Sequence, residues 1–369
     1  MKRTLAVLCI AALGAVVTGS ALASASTRAG SGGAPGRAAN SYKLHRLVAD
    51  QAGHAKSTDP NLVNAWGLAA GPTTPWWVNA ADNDVSTLYD GKGAVLPLVV
   101  DVAGGPTGLV FNGSPNFVVS NGTASGPSLF LFATESGTIN GWNPNVPPPS
   151  PSTHSFVVAD ESGHGASYKG LAIASTAAGD MLYATDFHNA KVDMFDGTFN
   201  LVSTASTFVD PNIPHGYAPF GIQAVSDTIF VTYGKQDADA GDEVAGKGLG
   251  FVDAFDTSGA FVARVASRHQ LDAPWGLAMA PSNFGAFSGD LLVGNFGDGR
   301  ILAFHQKANG SYKAAGALWN SHGKVLSIDG LWAIAFGNGD AAGPSNALYF
   351  TAGPDDEAHG LFGKVTAVG

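Results

Sequence analysis

Cysteine is almost missing from this chain of 369 residues: Cys9 stands alone, inside an apolar N-terminal run. Beyond that run the chain can form no disulfide, thiolate nucleophile or cysteine-ligated zinc or iron–sulfur site. Charge is scarce too. Asp, Glu, Lys and Arg make up 13% of the residues, and a net charge of −10 leaves no basic surface for nucleic acid or anionic membranes. No stretch after residue 41 approaches 18 consecutive apolar residues, so no membrane anchor is expected there. The motifs of several enzyme classes are missing as well. There is no H-E-x-x-H, P-loop or dinucleotide fingerprint, and the histidines from His154 to His359 are scattered. The nearest approach to a nucleophile elbow, Gly165-Ala166-Ser167-Tyr168-Lys169, lacks its second glycine.

The N-terminus reads as a secretory leader. Lys2-Arg3 precede an apolar stretch from Leu5 to Val17, and Ala21-Leu22-Ala23 and Ala23-Ser24-Ala25 offer small-x-small cleavage sites. We therefore expect a signal peptide over residues 1–25, a Ser/Gly/Ala-rich flexible linker over 26–41, and secretion of the mature protein. Residues 42–369 are long enough to bury one large core without disulfide support.

Glycine is plentiful, at 49 residues, and it recurs in a phrase. Ala65-Trp66-Gly67-Leu68, Pro106-Thr107-Gly108-Leu109, Tyr168-Lys169-Gly170-Leu171, Pro219-Phe220-Gly221-Ile222 and Pro274-Trp275-Gly276-Leu277 share one pattern. A sixth copy, Leu331-Trp332-Ala333-Ile334, carries alanine in place of glycine. The starts at 65, 106, 168, 219, 274 and 331 are 41, 62, 51, 55 and 57 residues apart, the length of a small β-sheet unit. Each phrase leads into β-branched and aromatic runs. The expected second strands include Trp76-Trp77-Val78-Asn79 and Asn116-Phe117-Val118-Val119-Ser120, and the expected third strands include Val85 to Tyr89 and Gly250 to Phe255. Expected fourth strands end on an acid, as in Leu98-Val99-Val100-Asp101, Phe156-Val157-Val158-Ala159-Asp160 and Thr207-Phe208-Val209-Asp210.

Leu44 to Asp50 has the fourth-strand form yet precedes the first phrase, while the last repeat runs out after its third strand. The expected architecture is therefore all-β: a six-bladed β-propeller over residues 42–369, closed by an N-terminal outer strand that completes the last blade.

Residues 273–278 followed by 289–301, with Pro274-Trp275-Gly276-Leu277 leading to a polar turn and Arg300-Ile301, resemble an NHL-type repeat. The stretch from Asn61 to Gly91, with Asn64-Ala65-Trp66-Gly67-Leu68, is similar to an uncharacterised family of exported bacterial propeller proteins. Some members of that family carry a C-terminal surface-sorting segment, and none is expected here because no apolar tail follows the last repeat in this sequence. The resemblance implies the fold and brings no catalytic residues with it.

In such a ring, function is expected on the rim where the strand two-to-three turns meet the connections between blades. The residues before the repeat glycines would surround the axis, so Trp66, Lys169, Trp275 and Trp332, with His188 on the rim, are candidate ligand-binding residues; inter-blade packing is the competing role. Asn79, Asn121, Asp186 and Asn295, read as the ends of second strands, are candidate oxygen ligands for an axial Ca²⁺. The insertion Asp237 to Glu243 reads as a solvated loop. Two functions follow. The first is an exported propeller that binds a small molecule, or an extracellular protein or glycan, as a monomer without nucleic acid or stable membrane attachment. The alternative is a metal-assisted, calcium-type hydrolase or lyase of a sugar lactone or similar molecule, which rests on fold analogy.

Overall fold

A computed structural model describes residues 40–177 and 179–368. The leader, Cys9 and nearly all of the linker lie outside the described residues. Six antiparallel sheets follow one another around an axis. Blade I comprises Ala65–Ala69, Trp76–Ala80, Val85–Tyr89 and Val95–Asp101. Blade II comprises Pro106–Phe111, Phe130–Thr134, Thr138–Trp142 and Phe156–Asp160, and blade III comprises Tyr168–Thr176, Gly179–Asp186 and Lys191–Asp196. Blade IV is Tyr217–Val225, Thr228–Lys235, Gly250–Asp256 and Phe261–Ser267. Blade V is Pro274–Met279, Leu291–Asn295, Ile301–Gln306 and Tyr312–Ala317.

Blade VI holds Leu331–Phe336, Ala347–Ala352 and Leu361–Ala367, and its outer strand is Tyr42–Ala49 from the other end of the chain. That strand runs antiparallel to Leu361–Ala367, with Tyr42 opposite Ala367 and Val48 opposite Phe362. Tyr42 and Val48 are wholly buried. The expected N-terminal closure is therefore present. It joins the ends of the ring through a backbone ladder and leaves no seam between blades VI and I.

The five repeat glycines lie within the innermost strands of blades I to V, and the structure gives their reason. A Cβ on Gly67 would lie 2.2 Å from the carbonyl oxygen of Thr107 in the next blade. On Gly221 it would lie 2.0 Å from that of Trp275, and on Gly276 it would lie 2.5 Å from that of Trp332. The innermost strands approach so closely that only hydrogen fits between them. Side-chain hydrogen bonds lock the same approach. Asn79 Nδ2 donates to Thr107 O (3.0 Å), Thr107 Oγ1 to Tyr168 O (2.6 Å), Thr185 Oγ1 to Phe220 O (2.7 Å), and Thr351 Oγ1 to Trp66 O. Farther out, separate apolar clusters fill five of the spaces between neighbouring blades, while the one between blades VI and I is continuous with the axis through Trp66, Phe220, Trp275 and Trp332. Between blades I and II, for example, Trp77 stacks on Phe130 at 4.3 Å and tilts against Trp142 at 4.6 Å.

Two strand expectations are corrected. The second strand of blade II is Phe130–Thr134, not Asn116 to Ser120. Every residue of Phe130–Thr134 is buried, whereas Val118–Ser120 has Val118 exposed and pairs with Ser125–Pro127 in a separate hairpin. Burial on both faces selects the continuous apolar run for the interior of the blade. Blade III, in turn, has no fourth strand at Thr207 to Asp210. Phe208 leaves the extended region (φ 56°) to pack on Tyr183 and Phe255, and Asp210 is drawn to Arg264 of blade IV.

Candidate functional site: an acidic pocket on an aromatic axis

The residues preceding the repeat glycines converge on the axis and fill it. Trp66 and Trp332 stack with centroids 3.7 Å apart, and Trp275 meets both edge-on at 6.4 and 5.9 Å. Phe220 closes on Trp332 at 5.8 Å, and Phe296 stacks on it at 4.1 Å. The two satisfied indoles bond to backbone or side-chain oxygen: Trp275 Nε1 to Lys169 O (3.0 Å) and Trp332 Nε1 to Asn64 Oδ1 (3.1 Å). The Trp66 indole N–H has no partner although the residue is only 2% exposed. Lys169 completes the group, with its Nζ 5.2 Å from the Trp66 ring centroid.

Above this plug lies a pocket of about 220 Å³ lined by Trp66, Phe296, Glu135, Asp242, Glu243, Asp356 and Glu357. Apart from Trp66, its walls come from strand two-to-three turns. Glu135 belongs to the turn of blade II, Asp242 and Glu243 to the long loop of blade IV, Phe296 to blade V, and Asp356 and Glu357 to blade VI. The chain contains four glutamates, and three of them stand here. Lys169, almost wholly buried, is the ammonium among them, paired with Glu135 and with Asp242 Oδ1 at 3.1 Å. Burial works against its charge, but Glu135, Asp242 and Glu243 outweigh it and hold the ammonium protonated.

Five carboxylates face one ammonium, and two of them give way. Burial pushes the Glu243 carboxyl up to about 8 against the pull of Lys169, with Glu357 and Asp242 adding repulsion. Burial likewise raises Glu357 to about 7, helped by Glu135, Asp82 and Asp242. Both therefore carry protons over much of the neutral range. Glu357 sits in an unusual turn in which Asp355, Asp356 and Glu357 all have positive φ (57°, 53° and 67°). Three successive left-handed L-residues cost roughly 1–2 kcal/mol each, so the surrounding contacts must hold them there.

The other candidate residues lie elsewhere. His188 is exposed, with Nδ1 3.2 Å from Ala240 O on the blade IV loop. Asn79, Asp186 and Asn295 do stand at the ends of second strands, and their side chains bond to neighbouring protein groups, although Asn79 Oδ1 and Asn295 Oδ1 are buried without a partner. Asn79 binds the next blade as above. Asp186 accepts from Ser167 N, Asn189 N and Asn189 Nδ2, and Asn295 Nδ2 donates to Gln270 O and Asp298 Oδ1. Asn121 is not at a second-strand end; it caps the outer hairpin of blade II, accepting from Thr123 N and Ala124 N, because Phe130–Thr134 takes the place in the blade. Among the described residues no group of three or more His, Cys, Asp or Glu is spaced to hold a metal ion. The acidic insertion read as a solvated loop supplies two of the pocket walls. The signal available in the sequence was the rarity of glutamate combined with its placement in three equivalent turns.

No protein-family model matches the chain. Two curated proteins of Acanthamoeba polyphaga mimivirus do: uncharacterized protein R648 is 35% identical over 344 residues, 90% of this chain and 82% of its own length. Uncharacterized protein L690 is 33% identical over 347 residues, 90% of this chain and 87% of its own. Among solved structures, a protein of unknown function from Bacteroides thetaiotaomicron superposes with a TM-score of 0.53 at 10% identity, covering 89% of this chain and 73% of that one. The PQQ-bound aldose sugar dehydrogenase of Streptomyces coelicolor gives 0.51 at 14% identity, covering 89% and 99%. At such identities the likeness shows the fold alone. The propeller part of the sequence resemblance stands, while the viral relatives lend no support to its bacterial and exported parts. The chain belongs to the same family as the mimivirus proteins R648 and L690, and its own fold is a six-bladed β-propeller with a carboxylate-walled pocket on the axis.

Proposed function

We propose that the protein is a binding module that captures a small organic cation, an amine or guanidinium compound, in the axial pocket. The observation that carries this reading is the charge imbalance: five carboxylates and a single ammonium share one pocket with Trp66 and Phe296. A neutral sugar would leave Glu243 and Glu357 holding their protons, whereas a cation favours their ionised forms and gains from the aromatic walls. A pocket of about 220 Å³ is roomy for a bare ion and suits a ligand of a few heavy atoms. The leader over residues 1–25 supports a site of action outside the producing cell, which N-terminal sequencing of the exported protein would test.

Binding of a cation needs Glu357 and Glu243 ionised, so affinity should rise with pH through about 7 and about 8 and protons should be released. Isothermal titration with choline, putrescine and arginine, against glucose as the neutral control, tests this at pH 6 and pH 8.5. At least one cation should bind roughly tenfold or more tightly at the higher pH, and Glu357→Gln should weaken it. Heat from none of the cations at pH 8.5, or equal affinity for glucose, would refute the reading.

A further inference from the structure

We infer that the N-terminal closing segment also builds the axial pocket, with Asp50 and His359 acting as a latch that positions Glu357. This deepens the cation-binding reading and rests on it for its biological meaning, but its physical content is independent. The turn Gly353 to Gly360 has two faces. Asp356 and Glu357 line the axial pocket, while Pro354, Asp355 and His359 line a second cavity of about 310 Å³. That cavity opens at the junction of blade VI with the closing strand and includes Arg46 and Asp50.

The turn bonds within itself, Glu357 N to Gly353 O (3.1 Å) and His359 N to Pro354 O (3.3 Å), and its C-terminal end is anchored from that second side. Asp50, the residue after the closing strand Tyr42–Ala49, accepts from Gly360 N through Oδ1 (3.1 Å), and its Oδ2 lies 2.8 Å from His359 Nδ1. Asp50 N in turn donates to Gly360 O (3.3 Å). Asp329, in the connection from blade V, accepts from Asp355 N (3.1 Å). Asn64 N binds His359 O (3.2 Å), so the latch also touches blade I. Left-handed backbone at three L-residues persists only where the surroundings over-determine it, and Asp50 fixes the end of the turn that follows them, at His359 and Gly360. Without the latch the turn relaxes toward ordinary backbone, and Glu357 leaves the burial that chiefly raises its carboxyl, along with the repulsion of Glu135, Asp82 and Asp242 and the opposing pull of Lys169.

Four glutamates make the test direct. The full chain, labelled with ¹³C at the glutamate carboxyls, is titrated by NMR as wild type, Asp50→Ala, His359→Gln and Asp196→Asn. Glu357 is assigned through Glu357→Gln. Asp196 caps a turn of blade III by the same kind of backbone bonds, away from the axial pocket, and serves as the control. The Glu357 midpoint should fall by at least one pH unit in Asp50→Ala and move in the same direction in His359→Gln, while Asp196→Asn leaves it unchanged. A Glu357 midpoint at the wild-type value in folded Asp50→Ala overturns the inference; if that variant does not fold, an unchanged midpoint in His359→Gln does so. A wild type that binds no cation would refute the proposed function, and the titration would still decide the latch.

Discussion

Gly221 shows what a single hydrogen atom does in this ring. Its missing Cβ is the space through which the Trp275 carbonyl passes, 2.0 Å from where that carbon would be. Gly221→Ala should push the innermost strands of blades IV and V apart and cost about 1–3 kcal/mol, read as a lower denaturation midpoint. Gly163→Ala, where a Cβ meets nothing within 4 Å, should leave the midpoint within about 0.5 kcal/mol. Equal effects at the two positions would mean that close approach is not why glycine recurs. Glu243 supplies the second residue-scale expectation. Its carboxyl is held near 8 in the folded chain, above the ordinary carboxylate range, so the folded state binds the proton more tightly than the unfolded one. Stability from this group is therefore complete below pH about 4.5 and is lost as pH rises toward about 8. In Glu243→Gln the decline in melting temperature between pH 5 and pH 9 should be shallower than in wild type; parallel curves would contradict the raised value.

At the scale of elements, the closing strand does the most per residue. Tyr42–Ala49 is the outer strand of a blade whose other strands come from the far end of the chain. Val48, wholly buried opposite Phe362, is its apolar anchor. Val48→Lys would put an unpaired ammonium into that interface, a loss of about 3–5 kcal/mol that urea unfolding would register. The same substitution at Val262, on the exposed outer strand of blade IV and 60% accessible, should be close to neutral. Matching losses at both sites would mean that the closure adds little.

For the whole molecule the axis is the shared core. Trp332 touches Trp66, Phe220, Trp275 and Phe296, which come from blades I, IV and V as well as its own surroundings. Trp332→Ala should cost about 3–5 kcal/mol. Because the contacts reach across the ring, the loss should appear as one lowered transition and not as an early melting of blade VI alone. Calorimetry distinguishes these outcomes, and a biphasic trace would show that the axis does not couple the blades. The acidity of the axial pocket belongs to this scale as well. Turns from three blades must be in place before its carboxylates repel one another, so a destabilised ring should lose cation affinity before it loses secondary structure.

Six glycine phrases, the apolar runs behind them and a displaced outer strand were enough to read the blades and their closure, since each follows from local spacing and strand chemistry. The axial tryptophans were legible for the same reason: a residue next to a repeated glycine inherits the direction of the repeat. Where local pattern was equivocal, burial decided, and Phe130–Thr134 displaced Asn116 to Ser120 in blade II because it is apolar on both faces. The pocket itself was not legible. Glu135, Glu243 and Glu357 lie 108 and 114 residues apart in turns of unequal length, and nothing local marks them as neighbours. Only closing the ring brings their charges together, because repulsion and desolvation depend on distance through space and on the water that the assembled blades exclude.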